Sequence, residues 1–101
     1  MAAGDVIIFG PTSVASGSYL DLQPGTDVEI SIHNINHEAA IQLYFYDSST
    51  ASLVPSIPVA DATPLVTMAL RGTNSKYYRV KNLSASAQLI SADGLVTKDA
   101  N

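Results

Sequence analysis

Two histidines four residues apart, His33 and His37, with Glu38 beside the second, are the residues of this chain whose types could hold a metal ion. On a helix that spacing would put both imidazoles on one face. Here it runs from the end of an alternating segment into a polar stretch, where the spacing fixes nothing about side-chain direction. The expectation is two exposed polar side chains and no metal. A nucleophilic triad needs a serine held beside a histidine and an orienting acid. Serines are plentiful, but no Gly-x-Ser-x-Gly elbow occurs, and Ser16-Gly17-Ser18 has the composition of a loop. Asp21 and Asp47 are the candidate carboxylate pair for a hydrolase, on condition that the fold brings them close together. The six glycines are scattered singly, so no phosphate-cradling loop and no cofactor is expected. These features together argue against an enzyme.

Binding chemistry is better represented. Tyr44 and Tyr46 stand two apart in an aromatic run, a spacing that puts both rings on one face of a strand, where they form a platform for stacking sugars or bases or for packing against protein. The chain has no Trp, which weakens the sugar-binding reading. Tyr77, Arg79 and Lys81 repeat the spacing and combine a ring with two cations. Tyr and Arg are enriched at interface centres, where guanidinium pairs with carboxylate and the ring adds buried area. These five residues are the candidate interface, and for Tyr77, Arg79 and Lys81 the expected partner is an acidic surface of a neighbouring subunit or of a larger assembly that the chain joins. Asn82-Leu83-Ser84 matches a glycosylation acceptor and is read as chance.

The elements that must position these groups are strands. Asp27 to Asn34 places apolar residues at every second position, so Val28, Ile30 and Ile32 face a core while Glu29, Ser31 and His33 face out. In Ala40 to Asp47, Ile41, Leu43 and Phe45 share one face and Gln42, Tyr44 and Tyr46 the other. Because both segments offer a core to the same side, Val28 to Asp47 is predicted as a β-hairpin closed by Ile35 to Ala39. Upstream, Asp5 to Gly10 reads as a strand ended by a Gly10-Pro11 turn, Thr12 to Gly17 as loop, and Ser18 to Gln23 as a second strand turned by Pro24-Gly25.

Downstream, Pro55 and Pro58 make Leu53 to Ala62 an edge strand or an excursion, since proline cannot donate to a ladder. Thr63 to Gly72 carries both helix-capping and strand signals, and its shortness favours strand. Lys76 to Asn82 alternates, with Tyr78 and Val80 inward. Ala87 to Ser91 and Leu95 to Thr97 read as a hairpin turned at Asp93-Gly94. About eight short strands without a helix predict one domain over residues 1–101, an antiparallel β-sandwich of jelly-roll or immunoglobulin type. Ile30, Ile32, Leu43, Phe45, Tyr78 and Val80 are its predicted core.

Composition bounds the setting. A chain of 101 residues buries roughly 65% of the surface it exposes unfolded. With no Cys, packing must supply the stability without disulfides or thiolate metal sites. Charged residues make up 14% of the chain, against about 25% in ordinary soluble domains, and 47% is hydrophobic. A surface so short of charge fits either a Ser/Thr/Asn-rich exterior or one partly covered by neighbouring subunits, and only the second of these predicts a homo-oligomer. The net charge of −4 argues against nucleic acid as a partner. Four of the five basic residues, Arg71, Lys76, Arg79 and Lys81, fall together and predict a local positive patch. No apolar run is long enough to span a bilayer and the first residues carry no basic start, so the expectation is cytoplasmic synthesis with no membrane partner.

Ile32-His33-Asn34-Ile35 through Tyr44-Phe45-Tyr46-Asp47, together with Thr73 to Asn82, resemble short β-sandwich proteins encoded among bacteriophage structural genes. The closing Ile90-Ser91-Ala92-Asp93-Gly94 is similar too, whereas Leu53 to Pro64 lies outside the resemblance. The resemblance implies a virion component, a capsid decoration (cement) or auxiliary protein that binds the shell in several copies. It carries over no functional residue. A carbohydrate-binding module using Tyr44 and Tyr46 is the competing expectation.

Overall fold

The computed structural model describes residues 3–59 and 70–98. Eight strands follow one another: β1 (Val6–Val14), β2 (Tyr19–Leu22), β3 (Glu29–His37), β4 (Ile41–Asp47), β5 (Ser52–Val59), β6 (Leu70–Thr73), β7 (Lys76–Asn82) and β8 (Gln88–Lys98). They form two four-stranded sheets, β1-β8-β3-β6 and β2-β7-β4-β5. The antiparallel pairs β1 with β8, β2 with β7, β3 with β6 and β4 with β5 describe one long hairpin folded at the β4–β5 turn and rolled up so that its layers alternate between sheets. That winding is the jelly roll, which decides between the two sandwich types the sequence left open. Among the described residues, no helix is long and apolar enough to cross a membrane.

The core between the sheets is aliphatic. Leu22, Ile30, Ile32, Ile35, Ile41, Leu43, Val80, Ile90 and Val96 are fully buried, supplied by strands of both sheets. β-Branched side chains suit this role because their stiff χ1 fits the pleated surface. Of the six residues predicted for the core, Ile30, Ile32, Leu43 and Val80 lie at its centre. Phe45 and Tyr78 do not. Both are half-buried and meet edge to face, with centroids 5.1 Å apart, while Tyr78 also packs on the core.

Several expected connections are corrected. The Val28–Asp47 hairpin does not form: β3 lies in the first sheet beside β8 and β6, and β4 lies in the second beside β7 and β5. Two strands that offer apolar faces to one core satisfy that pattern equally well from opposite sheets, which is what happens here. The stretch Ile35 to Ala39 is not the expected connection, because β3 runs on to His37 through a register shift between Ile32 and Asn34. That bulge changes which phase points inward, so Ile30 and Ile32 are followed by Ile35 and His37 as buried residues. Ser31 is buried as well, and Glu29 and His33 are half-buried, so none of the three is the open polar position that alternation predicted.

Glycine misled the reading twice. Gly10-Pro11 does not end the first strand and Thr12 to Val14 is not loop; β1 continues to Val14 past a bulge between Phe9 and Thr12. Gly10 has φ 77°, and a Cβ there would sit 2.6 Å from the Ile90 carbonyl oxygen. Asp93-Gly94 is likewise no turn. It lies inside the eleven-residue β8, where Gly94 faces Ile32 and a Cβ would collide with the Ser31 carbonyl. Asn34 Nδ2 donates to Asp93 Oδ1 at 2.8 Å across the same bulge. The proline-bearing strand is an edge as expected, being β5 of the second sheet. Of Thr63 to Gly72, residues 63–69 lie outside those described, and from Leu70 the chain is strand.

One end of the sandwich is closed by buried amides. Asn82 Nδ2 donates to the carbonyls of Val14 and Ser86, and its Oδ1 accepts from Ser84 and from Gln88 Nε2. The Asn82 side chain is thus fully enclosed, and the glycosylation match has no accessible nitrogen.

Candidate functional site

On the outer face of the second sheet, β2, β7 and β4 lie side by side, and the two-residue period turns Tyr19 and Asp21, then Tyr77, Arg79 and Lys81, then Gln42, Tyr44 and Tyr46 to one side. Register sets who meets whom. Arg79 stands between Asp21 and Tyr44, Lys81 between Tyr19 and Gln42, and Tyr77 opposite Tyr46. All five predicted interface residues therefore share this face.

Arg79 is the hub. Its Nε donates to Asp21 Oδ1 at 2.6 Å, and its guanidinium carbon lies 4.7 Å from the Tyr19 ring centroid and 4.8 Å from that of Tyr46. Each such stack contributes about 0.5 to 2 kcal/mol, depending on how far water is excluded. Lys81 Nζ lies 5.8 Å from the same Tyr19 ring. The rings also meet edge to face: Tyr19 and Tyr44 at 5.8 Å, Tyr46 and Tyr77 at 5.5 Å. The result is an aromatic ladder with one guanidinium stacked against two of its rings.

Burial grades across this face. Tyr77 is only 5% exposed, as enclosed as a core residue, although it points away from the core. Tyr19, Tyr44, Tyr46, Arg79 and Lys81 are half-buried. Burial, and secondarily the Asp21 charge, push the Tyr77 phenol above its ordinary value against the opposing pull of Arg79. The hydrogen bond from Arg79 to Asp21 raises the guanidinium further above its usual range, so it stays charged.

Tyr19 and Asp21 were missed by the sequence reading as members of this site. Their outward phase was visible in the alternation with Leu20 and Leu22, but nothing local announced that β2 would pair with β7. The predicted four-residue basic patch is also divided. Arg71 lies on β6 of the first sheet, and Lys76 shares the inward phase of Tyr78 at the strand's end, which leaves Arg79 and Lys81 together.

The catalytic candidates separate. Asp21 pairs across from Arg79 on the outer phase, whereas Asp47 is on the phase of Phe45, so the pleat puts the two carboxylates on opposite faces of the sheet. His33 and His37 are not both exposed. His37 is buried and its Nδ1 bonds the Ala39 carbonyl at 2.7 Å, while Glu38 Oε1 accepts from the Leu89 amide at 2.6 Å. Among the described residues no group of three His, Asp or Glu side chains is placed to hold a metal. A cleft of about 580 Å³ opens elsewhere, lined by Ile30, Phe45, Arg71, Gly72 and Lys76 among others, and it includes none of the ladder tyrosines.

No protein-family model matches this sequence, and no curated protein matches it.

Proposed function

We propose that the chain is a non-enzymatic structural protein of a phage particle, a capsid decoration or auxiliary subunit that docks through the outer face of its second sheet. The observation that carries this reading is the Tyr19, Tyr44, Tyr46, Tyr77 ladder locked around Arg79. Rigid aromatic rings with a guanidinium among them are the residue types that dominate interface hot spots, and ordering them in advance lowers the entropy lost on docking. The low charge content and the acidic remainder of the chain favour a covered, oriented surface. Jelly rolls recur in viral capsid and lectin domains, an association of fold that agrees with the reading without deciding it.

The test is cosedimentation with tailed-phage capsids stripped of their own decoration subunits. The wild type is expected to pellet with capsids, more weakly as salt rises, and Lys81→Glu to remain in the supernatant while melting like the wild type. Equal pelleting of both proteins at all salt concentrations counts against this face, and no pelleting of either counts against the role.

Tyr44 and Tyr46, half-exposed on one face, support a carbohydrate-binding module as the second reading. Sugar stacking needs an open ring face, so retention on a glycan array that Tyr44→Ala abolishes would favour it over the virion role.

A further inference from the structure

We infer that β1 is a self-association edge: two copies of this chain pair antiparallel through Val6 to Phe9, joining their first sheets into one eight-stranded sheet. This edge lies on the opposite sheet from the ladder and does not rest on the docking role proposed above.

The four sheet edges are not alike. An exposed edge offers a row of unpaired N–H and C=O groups, and natural edges are protected by shortness, proline, charge or bulges. β2 and β6 have four residues each, and β5 carries Pro55 and Pro58. β1 is protected only in its second half, where Gly10, Pro11 and the bulge interrupt it. Its first half, Val6-Ile7-Ile8-Phe9, has no charge and no proline, and among the described residues no strand covers its outer side.

The side chains there are wrong for solvent. Val6 is 67% exposed and Ile8 64%, both on the outer face, and Leu95 lies beside Val6 across β8 at 40%. The chemistry that completes such an edge is another uncharged apolar strand, and the chain itself supplies one. Paired residues of an antiparallel ladder point to the same face, so a two-fold axis through Ile7 sets Val6 of one copy opposite Ile8 of the other. The exposed residues then form one apolar strip ending in a Leu95 on each side. Ile7 and Phe9 stay on the core side. No like charges meet in that register.

In that register Val6 to Ile8 pair with one another and Phe9 falls opposite Asp5, a short ladder with two exposed side chains per copy, so the interface is small and the dimer is expected to be concentration-dependent. Size-exclusion chromatography with light scattering, run as a dilution series without capsids, reads it directly. The wild type is expected to approach twice the 10.6 kDa chain mass at high micromolar concentration. Ile8→Lys and Val6→Lys, both at exposed positions, are expected to remain monomeric with unchanged circular dichroism. Leu83→Lys, at an exposed apolar site outside the strip, is expected to dimerise like the wild type. A monomeric wild type at every concentration overturns the edge while leaving shell binding open. Dimers that persist in both lysine variants overturn it too.

Discussion

Gln88 Nε2 donates to Asn82 Oδ1 at 2.7 Å, and the two buried amides join the end of β7 to the start of β8. The Gln88 Oε1 also accepts from the backbone N–H groups of Glu38 and Ala39, and its Nε2 donates to the Ala40 carbonyl. One side chain thus satisfies three backbone groups of the segment where the chain crosses between the sheets. Replacing it by Leu strands the two N–H groups, while the Ala40 carbonyl keeps the Leu83 N–H. Each buried unpaired group costs about 1 to 3 kcal/mol, partly relieved by water, so Gln88→Leu is expected to lose about 2 to 4 kcal/mol in urea unfolding. A loss under about 0.5 kcal/mol would mean that this end is open to solvent.

The core gives a sharper contrast. Leu43 is fully enclosed, and Leu43→Ala is expected to cost about 3 to 4 kcal/mol. Phe45, half-buried at the rim, is expected to cost about half as much when cut to Ala, although its side chain is larger. Chemical denaturation of the two variants side by side checks the order. A costlier Phe45→Ala would place the packing centre at the aromatic pair.

The presence of most strands, the faces of β2, β4 and β7 and the edge position of the proline segment were legible because alternation and proline chemistry are local. Strand partners were not. In this winding Val6 pairs with Leu95 and Tyr19 with Lys81, and among the described residues only β4 and β5 are joined as a simple hairpin. The same limit applies to the site. The outward phase of Tyr77, Arg79 and Lys81 could be read from one strand, whereas the carboxylate that holds Arg79 comes from fifty-eight positions away. Bulges hid as well, since a glycine needed for close strand approach has the same letter as one needed for a turn.

Gly94 tests that ambiguity. If Asp93-Gly94 formed a tight turn, Gly94→Ala would cost only the strain of a left-handed residue, about 1 to 2 kcal/mol. Inside β8, where the added Cβ meets the Ser31 carbonyl, the strands must separate. The expected loss is on the order of 3 kcal/mol or more, a large part of a small domain's stability. It should appear as a lowered melting temperature or as insoluble expression. A melting temperature equal to that of the wild type would refute this placement.

Tyr77 gives stability an alkaline limit. Its phenol ionises above the ordinary value of about 10 because burial penalises the anion. A raised folded-state pKa means that the native state holds its proton longer than the unfolded state. The contribution is therefore complete below about pH 10 and is lost as pH rises through the folded value. Denaturant midpoints measured from pH 8 to 11.5 should fall at the top of this range. Tyr77→Phe should fall less. Equal slopes would show that the hydroxyl is not the group responsible.

Asp21 separates stability from docking, because the two respond to it with opposite sign. In the free protein its carboxylate holds the Arg79 Nε and so helps fix the ladder, but both side chains are partly exposed, 39% for Asp21 and 25% for Arg79. Solvent screening limits such a pair to about 1 kcal/mol or less. Asp21→Asn is therefore expected to lower unfolding stability slightly. For a partner with an acidic surface the same carboxylate is a like charge beside Arg79 and Lys81, so removing it makes the face more positive. Binding to capsids should then tighten, and its salt dependence should steepen. A neutral partner, such as a glycan stacked on Tyr44, would feel only the loosened ladder, and binding would weaken with no change in salt response. Asp21→Asn measured in both assays thus decides whether this face is read by charge or by stacking.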